Sequence, residues 1–363
     1  MVRSTKAQIL CTVTAVVSIL FAGGAYAQSS SQSANAVTFA TGGSGGNGTS
    51  PLTGTIAAVV SAPAAALAGA TGVTVNTFTA AAANPGTVNL AGAPRRFALP
   101  GQKGEAAAGG GQAWNGWFSV AQNNIGFSFA PVNASGRVNS GQVGVDYTFS
   151  NKVIWGVVIG GNQTRVGLNG STVVGSVNGS GTNVATYLGV PLNQNWTVDA
   201  SLGSSRSKID LLLNNLTGNL GITGTSGNLG LTYRQGAGNW LLTGRGAYTA
   251  SADKLGAFTL SNNTAVNSSS INIGRVTLGG QAAYRAGSVT PYIGLNYVYD
   301  VQSPGAITLG GQTSARDRDA FNLQLGMGFR GTGSLYGNIQ YSTEQSRKEI
   351  KNNQIMFNMG IRF

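Results

Sequence analysis

The chain ends on "NQIMFNMGIRF", Asn353–Phe363, in which apolar side chains recur at every second position. The apolar register contains Ile355, Phe357, Met359, Ile361 and Phe363, whereas the other register contains Gln354, Met356, Asn358, Gly360 and Arg362. Because successive side chains of a β-strand point to opposite faces, the stretch predicts a strand with one apolar and one mainly polar face. We expect the apolar face to meet lipid and the other face to meet the lumen of a barrel.

The same alternation recurs in segments from Gln112 onward, where large apolar residues define one face. The charged residues of the clearer segments then fall on the opposite face: Asp146, Arg234, Arg245, Arg275, Arg285, Asp300, Arg330 and Arg362. A lipid-facing arginine near the bilayer midplane costs roughly 2–4 kcal/mol, which gives this sorting a physical cause. The pattern therefore predicts that these charges face the lumen of a membrane β-barrel.

A soluble β-sandwich is the alternative, because its strands also alternate. The apolar faces of a sandwich meet in a core about 10 Å thick, which tolerates less glycine than a barrel wall. With 56 glycines and only 9% charged residues, the composition favours the membrane barrel.

Turns divide the region into strands. Short breaks fall near residues 150–152, 192–195, 236–238, 286–288 and 331–333, and longer polar stretches fall near 165–181, 208–222, 252–270, 302–317 and 343–352. Short inner turns that alternate with long outer loops are typical of an up-and-down outer-membrane barrel. The sequence thus predicts an all-β fold, a twelve-stranded antiparallel transmembrane β-barrel, with its first strand near Trp114–Ala121 and its last near Gln354–Phe363.

Three tryptophans follow the short turns at similar distances: Trp155, Trp196 and Trp240. Aromatic side chains concentrate where membrane meets water, because the ring is apolar and its edge is polar. We interpret the three as interfacial aromatics at one end of the barrel.

The chain before the barrel has a different composition. Residues 1–27 read as a signal peptide, with Arg3 and Lys6 before an apolar run and "AYA" at Ala25–Ala27 as the cleavage pattern. Residues 28–111 form a low-complexity segment rich in Ala, Gly, Ser and Thr, which buries too little apolar surface to fold by itself. Residues 112–363 form the barrel, and the low-complexity segment is a short passenger or a linker.

Composition argues against an enzyme. The chain has no histidine, and its single cysteine, Cys11, lies in the predicted signal peptide. A Ser–His pair, a His-based metal site and a thiol nucleophile are therefore all missing from the expected mature chain. We predict no catalytic residue, no cofactor and no metal. The net charge of +12 comes from scattered residues, and we predict no nucleic-acid partner.

The barrel region resembles the autotransporter β-domain, the translocator of type V secretion. The similarity rests on "SGQVGVDYTFSNKVIWGVVIGGNQTRV" (140–166), "TNVATYLGVPLNQNWTVDASLGSSRSKID" (182–210) and "SVTPYIGLNYVYD" (288–300). The resemblance implies that the end of the last strand is a terminal signal for the barrel-assembly machinery, carried by Phe357, Met359, Gly360, Ile361 and Phe363. Family members usually carry a pore helix before the first strand, whereas Pro100 and the glycines of "RRFALPGQKGEAAAGGGQ" (95–112) disfavour a helix.

The resemblance also implies a location and partners. We expect Sec-dependent export through the signal peptide and insertion into the outer membrane of a Gram-negative bacterium, in contact with its lipid. The first functional hypothesis is a barrel that translocates or displays its short N-terminal segment at the cell surface. The alternative is an outer-membrane pore or surface adhesin that acts through its external loops.

Overall fold

A computed structural model describes most of the predicted barrel. The described residues are 113–129, 132–149, 152–169, 174–263, 265–266, 268–302, 308–309, 312–313, 318–330, 335–345 and 350–362. The predicted signal peptide, the low-complexity segment, the pore-helix region and Phe363 lie outside the described residues.

Twelve antiparallel strands close into a barrel in which the first strand pairs with the last. They are β1 (Ala113–Phe129), β2 (Val132–Thr148), β3 (Ile154–Asn169), β4 (Val174–Pro191), β5 (Trp196–Leu213), β6 (Leu216–Ala237), β7 (Trp240–Leu255), β10 (Ser269–Tyr284), β11 (Val289–Gln302), β14 (Asp319–Arg330), β15 (Leu335–Gln345) and β16 (Ile350–Arg362). Two small hairpins complete the described strands: β8 (Phe258–Thr259) with β9 (Ala265–Val266), and β12 (Thr308–Leu309) with β13 (Gln312–Thr313). The predicted fold class is confirmed.

Closure explains why so much apolar surface can face outward. Every neighbouring pair of barrel strands is hydrogen-bonded, so the backbone needs no water partners along the wall. Large apolar side chains such as Ile159 and Leu278 are more than half exposed on the outer face. Among the described residues, no helix has the length and hydropathy needed to cross a bilayer.

The predicted long outer loops are partly wrong. Residues 208–222 are almost entirely strand, because β5 and β6 meet in a two-residue turn at Asn214 and Asn215. Both asparagines have positive φ, 47° and 71°, a conformation that asparagine tolerates better than most residues. Most of 165–181 is likewise strand in β3 and β4. Glycine and asparagine recur in these stretches and have low strand propensity, but pairing between neighbouring strands outweighs it.

The polarity of the two faces reverses along these strands. In β5, Leu202 is exposed on the outer face and Asp199 is buried inside. Farther along the same strand, Lys208 is exposed on the outer face, whereas Ile209 and Leu211 are buried inside. The outer face therefore meets lipid first and water beyond it.

We call the part of the wall beyond this reversal the strand extension: residues 163–169, 174–182, 204–213, 216–225 and 251–255. Its inner face holds a hydrophobic core made of Val166, Leu168, Val177, Ile209, Leu211, Leu213, Leu220, Ile222 and Leu255, joined by Phe258 and Leu260. Phe258 and Leu260 belong to the connection after β7 and pack over Gly218, where a methyl group would lie 3.0 Å from Leu260. The connection thus covers the inner face of the extension.

Candidate functional site

The candidate site is the inner face of the barrel within the membrane-spanning part. Of the charges predicted to face the lumen, Asp146 and Asp300 are buried at 3% and 4% exposure. The side chains of Arg245 and Arg275 are each 14% exposed. Arg234 and Arg285 are partly buried on the same face, and the side chains of Arg330 and Arg362 lie outside the described residues.

Two of the predicted arginines form ion pairs on the inner face. Arg275 donates from Nε to Asp300 Oδ1 at 2.7 Å, across a register irregularity at Gly274 and Arg275. Arg245 donates from Nη2 to Asp199 Oδ2 at 2.9 Å and from Nη1 to Thr232 Oγ1 at 3.0 Å. These pairs neutralise two of the arginines on the described part of the inner wall.

Sequence reasoning missed Asp199. Its strand carries large apolar residues on both faces, with Leu202 outside and Ile209 and Leu211 inside, so the sequence did not assign one face as the outer face. The signal was present, because Asp199 has the opposite parity to Trp196 and Leu202, which are both exposed on the outer face. Parity relative to a tryptophan beside a turn would have placed it inside.

A hydrogen-bond network surrounds Asp146. Asn115 Nδ2 and the Tyr187 hydroxyl both donate to Asp146 Oδ2, at 2.9 and 3.0 Å. Trp117 Nε1 donates to the Tyr187 oxygen at 3.0 Å, and the Tyr336 hydroxyl donates to Asn115 Oδ1 at 2.7 Å. The contributing strands are β1, β2, β4 and β15, which are not all neighbours, so the contacts run across the concave side of the wall. This geometry identifies the inner face.

Glycines make room for the large side chains of this face. A methyl group on Gly156 would lie 2.2 Å from the Tyr187 ring, and one on Gly144 would lie 2.4 Å from the Trp117 ring. Tyr292 covers Gly326 and Tyr336 covers Gly360 in the same way, at 2.3 and 2.4 Å. Aromatic rings that lie across glycines of the neighbouring strand restore packing that the missing side chain would have supplied. Sequence reasoning identified neither these pairs nor the tyrosines that form them.

A second polar cluster on the inner face is also built around a tyrosine hydroxyl. The Tyr292 hydroxyl donates to Gln340 Oε1 at 3.0 Å and accepts from Asn338 Nδ2 at 3.2 Å. Asn358 Nδ2 then donates to Asn338 Oδ1 at 3.0 Å. Buried amides and hydroxyls that satisfy one another hold a polar wall in one arrangement.

The last strand has the two faces that its sequence predicts. Ile355 and Ile361 are each 52% exposed on the outer face, and Gln354 and Asn358 are buried on the other. Phe357 lies between Phe118 and Phe329, with ring centroids 5.9 and 6.2 Å away. Gly360 leaves room for the Tyr336 ring, so this glycine has a packing role. The role of these residues, with Met359, as a terminal assembly signal stays a prediction.

An aromatic belt lies at the end of the barrel that carries both chain termini of the wall. Trp155, Trp196 and Trp240 are exposed at 46%, 38% and 51%. Each lies beside a tyrosine of the neighbouring strand, as in Trp196–Tyr233 and Trp240–Tyr284, with centroids 4.9 and 5.1 Å apart. Trp114 and Tyr147 extend the belt at 5.0 Å, a pair that sequence reasoning did not assign to it. The interfacial role of the three tryptophans stays a prediction with this geometry in its favour.

Electrostatics in the strand extension differ from those of the wall below. Asp253 is 6% exposed on its inner face, beside Lys254, which is exposed on the outer face above the lipid-facing band. Burial raises the pKa of Asp253 to about 6. Its Oδ2 has no hydrogen-bond partner among the described residues.

The described residues include no group of three or more His, Cys, Asp or Glu that could hold a metal ion.

Residues 110–342 match the family model described as the autotransporter beta-domain. The chain belongs to the autotransporter β-domain family. Autotransporter β-domains are outer-membrane barrels of type V secretion in Gram-negative bacteria, which sets the location of this chain.

Solved structures agree with the family. The barrel is similar to the translocator domain of the autotransporter NalP from Neisseria meningitidis, with a TM-score of 0.57 at 13% identity over 69% of this chain and 89% of that chain. It is also similar to the transport unit of the autotransporter AIDA-I from Escherichia coli, with a TM-score of 0.56 at 14% identity over 76% and 95% of the two chains. The beta domain of the Bordetella autotransporter BrkA gives 0.53 at 15% identity over 69% and 99%. A comparison with curated proteins gave no significant match.

These findings confirm the resemblance, the fold class and the outer-membrane location predicted from the sequence. At such low identities the similar structures show the fold of this autotransporter barrel, and the roles of its individual residues rest on its own geometry.

Proposed function

We propose that this autotransporter barrel carries its own N-terminal segment, residues 28–111, through the lumen and displays it at the cell surface. The observation that carries the proposal is the polar inner wall of a closed barrel, on which two arginines are paired with aspartates. Twelve strands lie between eight, where side chains fill the interior, and sixteen, where water does. Such a lumen suits one extended chain.

The segment fits that wall chemically. Residues 28–94 contain no Asp, Glu, Lys or Arg, so this part of the segment needs no charged counterpart inside the barrel, and the charged residues of the segment, Arg95, Arg96, Lys103 and Glu105, all follow it. The inner ion pairs, Arg245–Asp199 and Arg275–Asp300, reduce the positive charge that the wall presents to a passing chain. Hydroxyls and amides along the wall can exchange hydrogen bonds with an extended backbone.

The connection between segment and barrel supports the same path. The strand β1 begins at Ala113, opposite Thr148, at the end that carries the aromatic belt. Short turns lie at this end, as they do on the periplasmic side of outer-membrane barrels. About ten residues of extended chain span the wall, so most of the segment would lie outside.

The proposal includes partners that outer-membrane barrels of this kind need. Export would use the Sec translocase through the signal peptide, and insertion would use the barrel-assembly machinery through the terminal strand. The NalP and AIDA-I structures are described as a translocator domain and a transport unit of those proteins, which is consistent with transport here. That the chain is not an enzyme stays a prediction from its sequence.

One observation favours the second candidate, a surface protein that acts through its outer end. The strand extension has its own hydrophobic core and a polar outer face, so it forms a folded platform beyond the lipid. Such a platform suits adhesion whether or not the N-terminal segment crosses the wall.

Single cysteines test display directly, because Cys11 is the only native cysteine. Cells carrying Ser61→Cys in the segment are treated with a membrane-impermeant maleimide, beside Asn219→Cys in the extension and Gln194→Cys in a turn at the aromatic end. Display predicts that Ser61→Cys is labelled on intact cells to the same extent as Asn219→Cys. If Ser61→Cys is labelled only after permeabilisation, like Gln194→Cys, the segment stays in the periplasm and display is wrong.

A further inference from the structure

Three arginines lie at one height on the outer face of the barrel. Arg137 is ten residues from Tyr147 along β2, Arg165 is ten from Trp155 along β3, and Arg206 is ten from Trp196 along β5. The tyrosine and tryptophans belong to the aromatic belt. All three arginines are exposed and share the parity of the outer-face residues Val143, Ile159 and Leu202. We call them the arginine row.

The height of the row coincides with the far boundary of the hydrocarbon. Ten residues of a strand tilted by about 40° rise roughly 25 Å, which is the height of the apolar band on outer-membrane barrels. Toward the aromatic belt, the outer face of these strands is aliphatic, as at Val143, Val157 and Leu202. The belt lies at the periplasmic end, so the arginine row lies at the headgroups of the outer leaflet.

Two arginines of the row repel each other. Arg137 of β2 is the direct cross-strand partner of Arg165 of β3. Like charges directly opposite each other destabilise a sheet. Neither arginine forms an ion pair with a described residue. Asp210, an exposed acid of this outer face, lies on β5 opposite Asn178, with β4 between it and Arg165.

A groove of about 670 Å³ lies beside the row on the side of the aromatic belt, on the outer face of β16 and of β1 to β4. Val120, Ile355 and Phe357 give it an apolar side, Gln122, Asn139 and Gln163 line it with polar groups, and Gly141 and Gly161 form its floor. A methyl group on Gly141 would meet nothing within 4 Å, so the groove is open to the membrane. An acyl chain fits along the apolar side of this groove.

We propose that the arginine row and the groove bind a phosphorylated lipid of the outer leaflet. The phosphate lies between Arg137 and Arg165, where it removes their repulsion, and one acyl chain lies over Gly141 and Gly161. Guanidinium groups bind phosphate with several directed hydrogen bonds, which a headgroup without phosphate does not supply. The same contact fixes the height of the barrel in the membrane.

Binding of diphosphorylated lipid A to the purified full-length protein in neutral detergent tests the proposal, with native mass spectrometry as the readout. Each basic residue near an anionic surface contributes a factor of about five in affinity. We expect Arg137→Gln and Arg165→Gln each to weaken binding about five-fold, and the triple variant with Arg206→Gln to weaken it about a hundred-fold. Lys152→Gln is the matched control, because it removes one exposed cation at the opposite end, and its binding should equal that of the wild type.

Arg165→Glu separates lipid binding from folding. The new carboxylate would face Arg137, so the folded barrel should be at least as resistant to heat on gels, whereas lipid A binding should fall more than five-fold. Equal binding by the triple variant and the wild type would refute the site. Equal binding of dephosphorylated lipid A would refute the role of phosphate. Full displacement of lipid A by inorganic phosphate would show an anion site without a lipid component and overturn the proposal.

Discussion

Replacement of Tyr187 by phenylalanine removes a single hydroxyl from the network around Asp146. That hydroxyl donates to Asp146 at 3.0 Å and accepts from Trp117 Nε1 at 3.0 Å. A hydrogen bond to a charged group contributes about 1.5–3 kcal/mol, and a neutral one about 1 kcal/mol. The ring keeps its place over Gly156, so no cavity forms. We therefore expect the free energy of unfolding to fall by about 2.5–4 kcal/mol.

Urea unfolding of the barrel in lipid vesicles, followed by tryptophan fluorescence, measures this loss. The matched control is Tyr233→Phe, which makes the same chemical change on the outer face. The Tyr233 hydroxyl donates to Gln235 at 2.8 Å in an exposed bond, which water can replace. We expect the control to lose less than about 0.5 kcal/mol, as surface substitutions usually do.

The difference between the two variants in free energy of unfolding tests whether the inner network stabilises the barrel. If both variants lose the same small amount, the inner network contributes no more than a surface bond. The inner wall would then be hydrated at Asp146, and the account of a self-satisfied polar wall would be wrong.

Three further changes test other parts of the molecule. Gly326→Ala would place a methyl group 2.3 Å from the Tyr292 ring, and we expect a loss of about 1–3 kcal/mol in the same urea assay, against almost none for Gly244→Ala, which has open space. Leu211→Ala opens a hole in the core of the strand extension, and a local loss of about 2–5 kcal/mol should expose the turn after β5 to protease while the barrel keeps its heat-modifiable gel mobility. Burial raises the Asp253 pKa from 3.8 to about 6, so the carboxyl favours the folded extension fully below pH 4, and that contribution is lost as the pH rises to 6. Asp253→Asn should therefore slow protease cleavage of the extension at pH 8, with a gain of up to about 3 kcal/mol, and leave it unchanged at pH 4.

Much of the candidate site was predictable from residue parity. Asp146, Arg245, Arg275 and Asp300 could be assigned to one face because large apolar residues fix the other. The partners could not be predicted, since Arg245 pairs with Asp199 two strands away. Contacts of this kind depend on barrel curvature and stagger, and neither quantity is written in any single strand.

The sequence alone determined the class of the protein and the orientation of its strands. A two-residue period follows from the geometry of the extended backbone, and the cost of a charge in hydrocarbon fixes which register faces lipid. The tertiary structure decided how long the strands are and where their polarity reverses. Residues 208–222 contain asparagines and glycines that are typical of a loop, and only pairing with β4 and between β5 and β6 makes them strand. The reversal at Lys208 and Ile209 has the same origin, because the medium outside the wall changes from lipid to water at a height that only the assembled barrel defines.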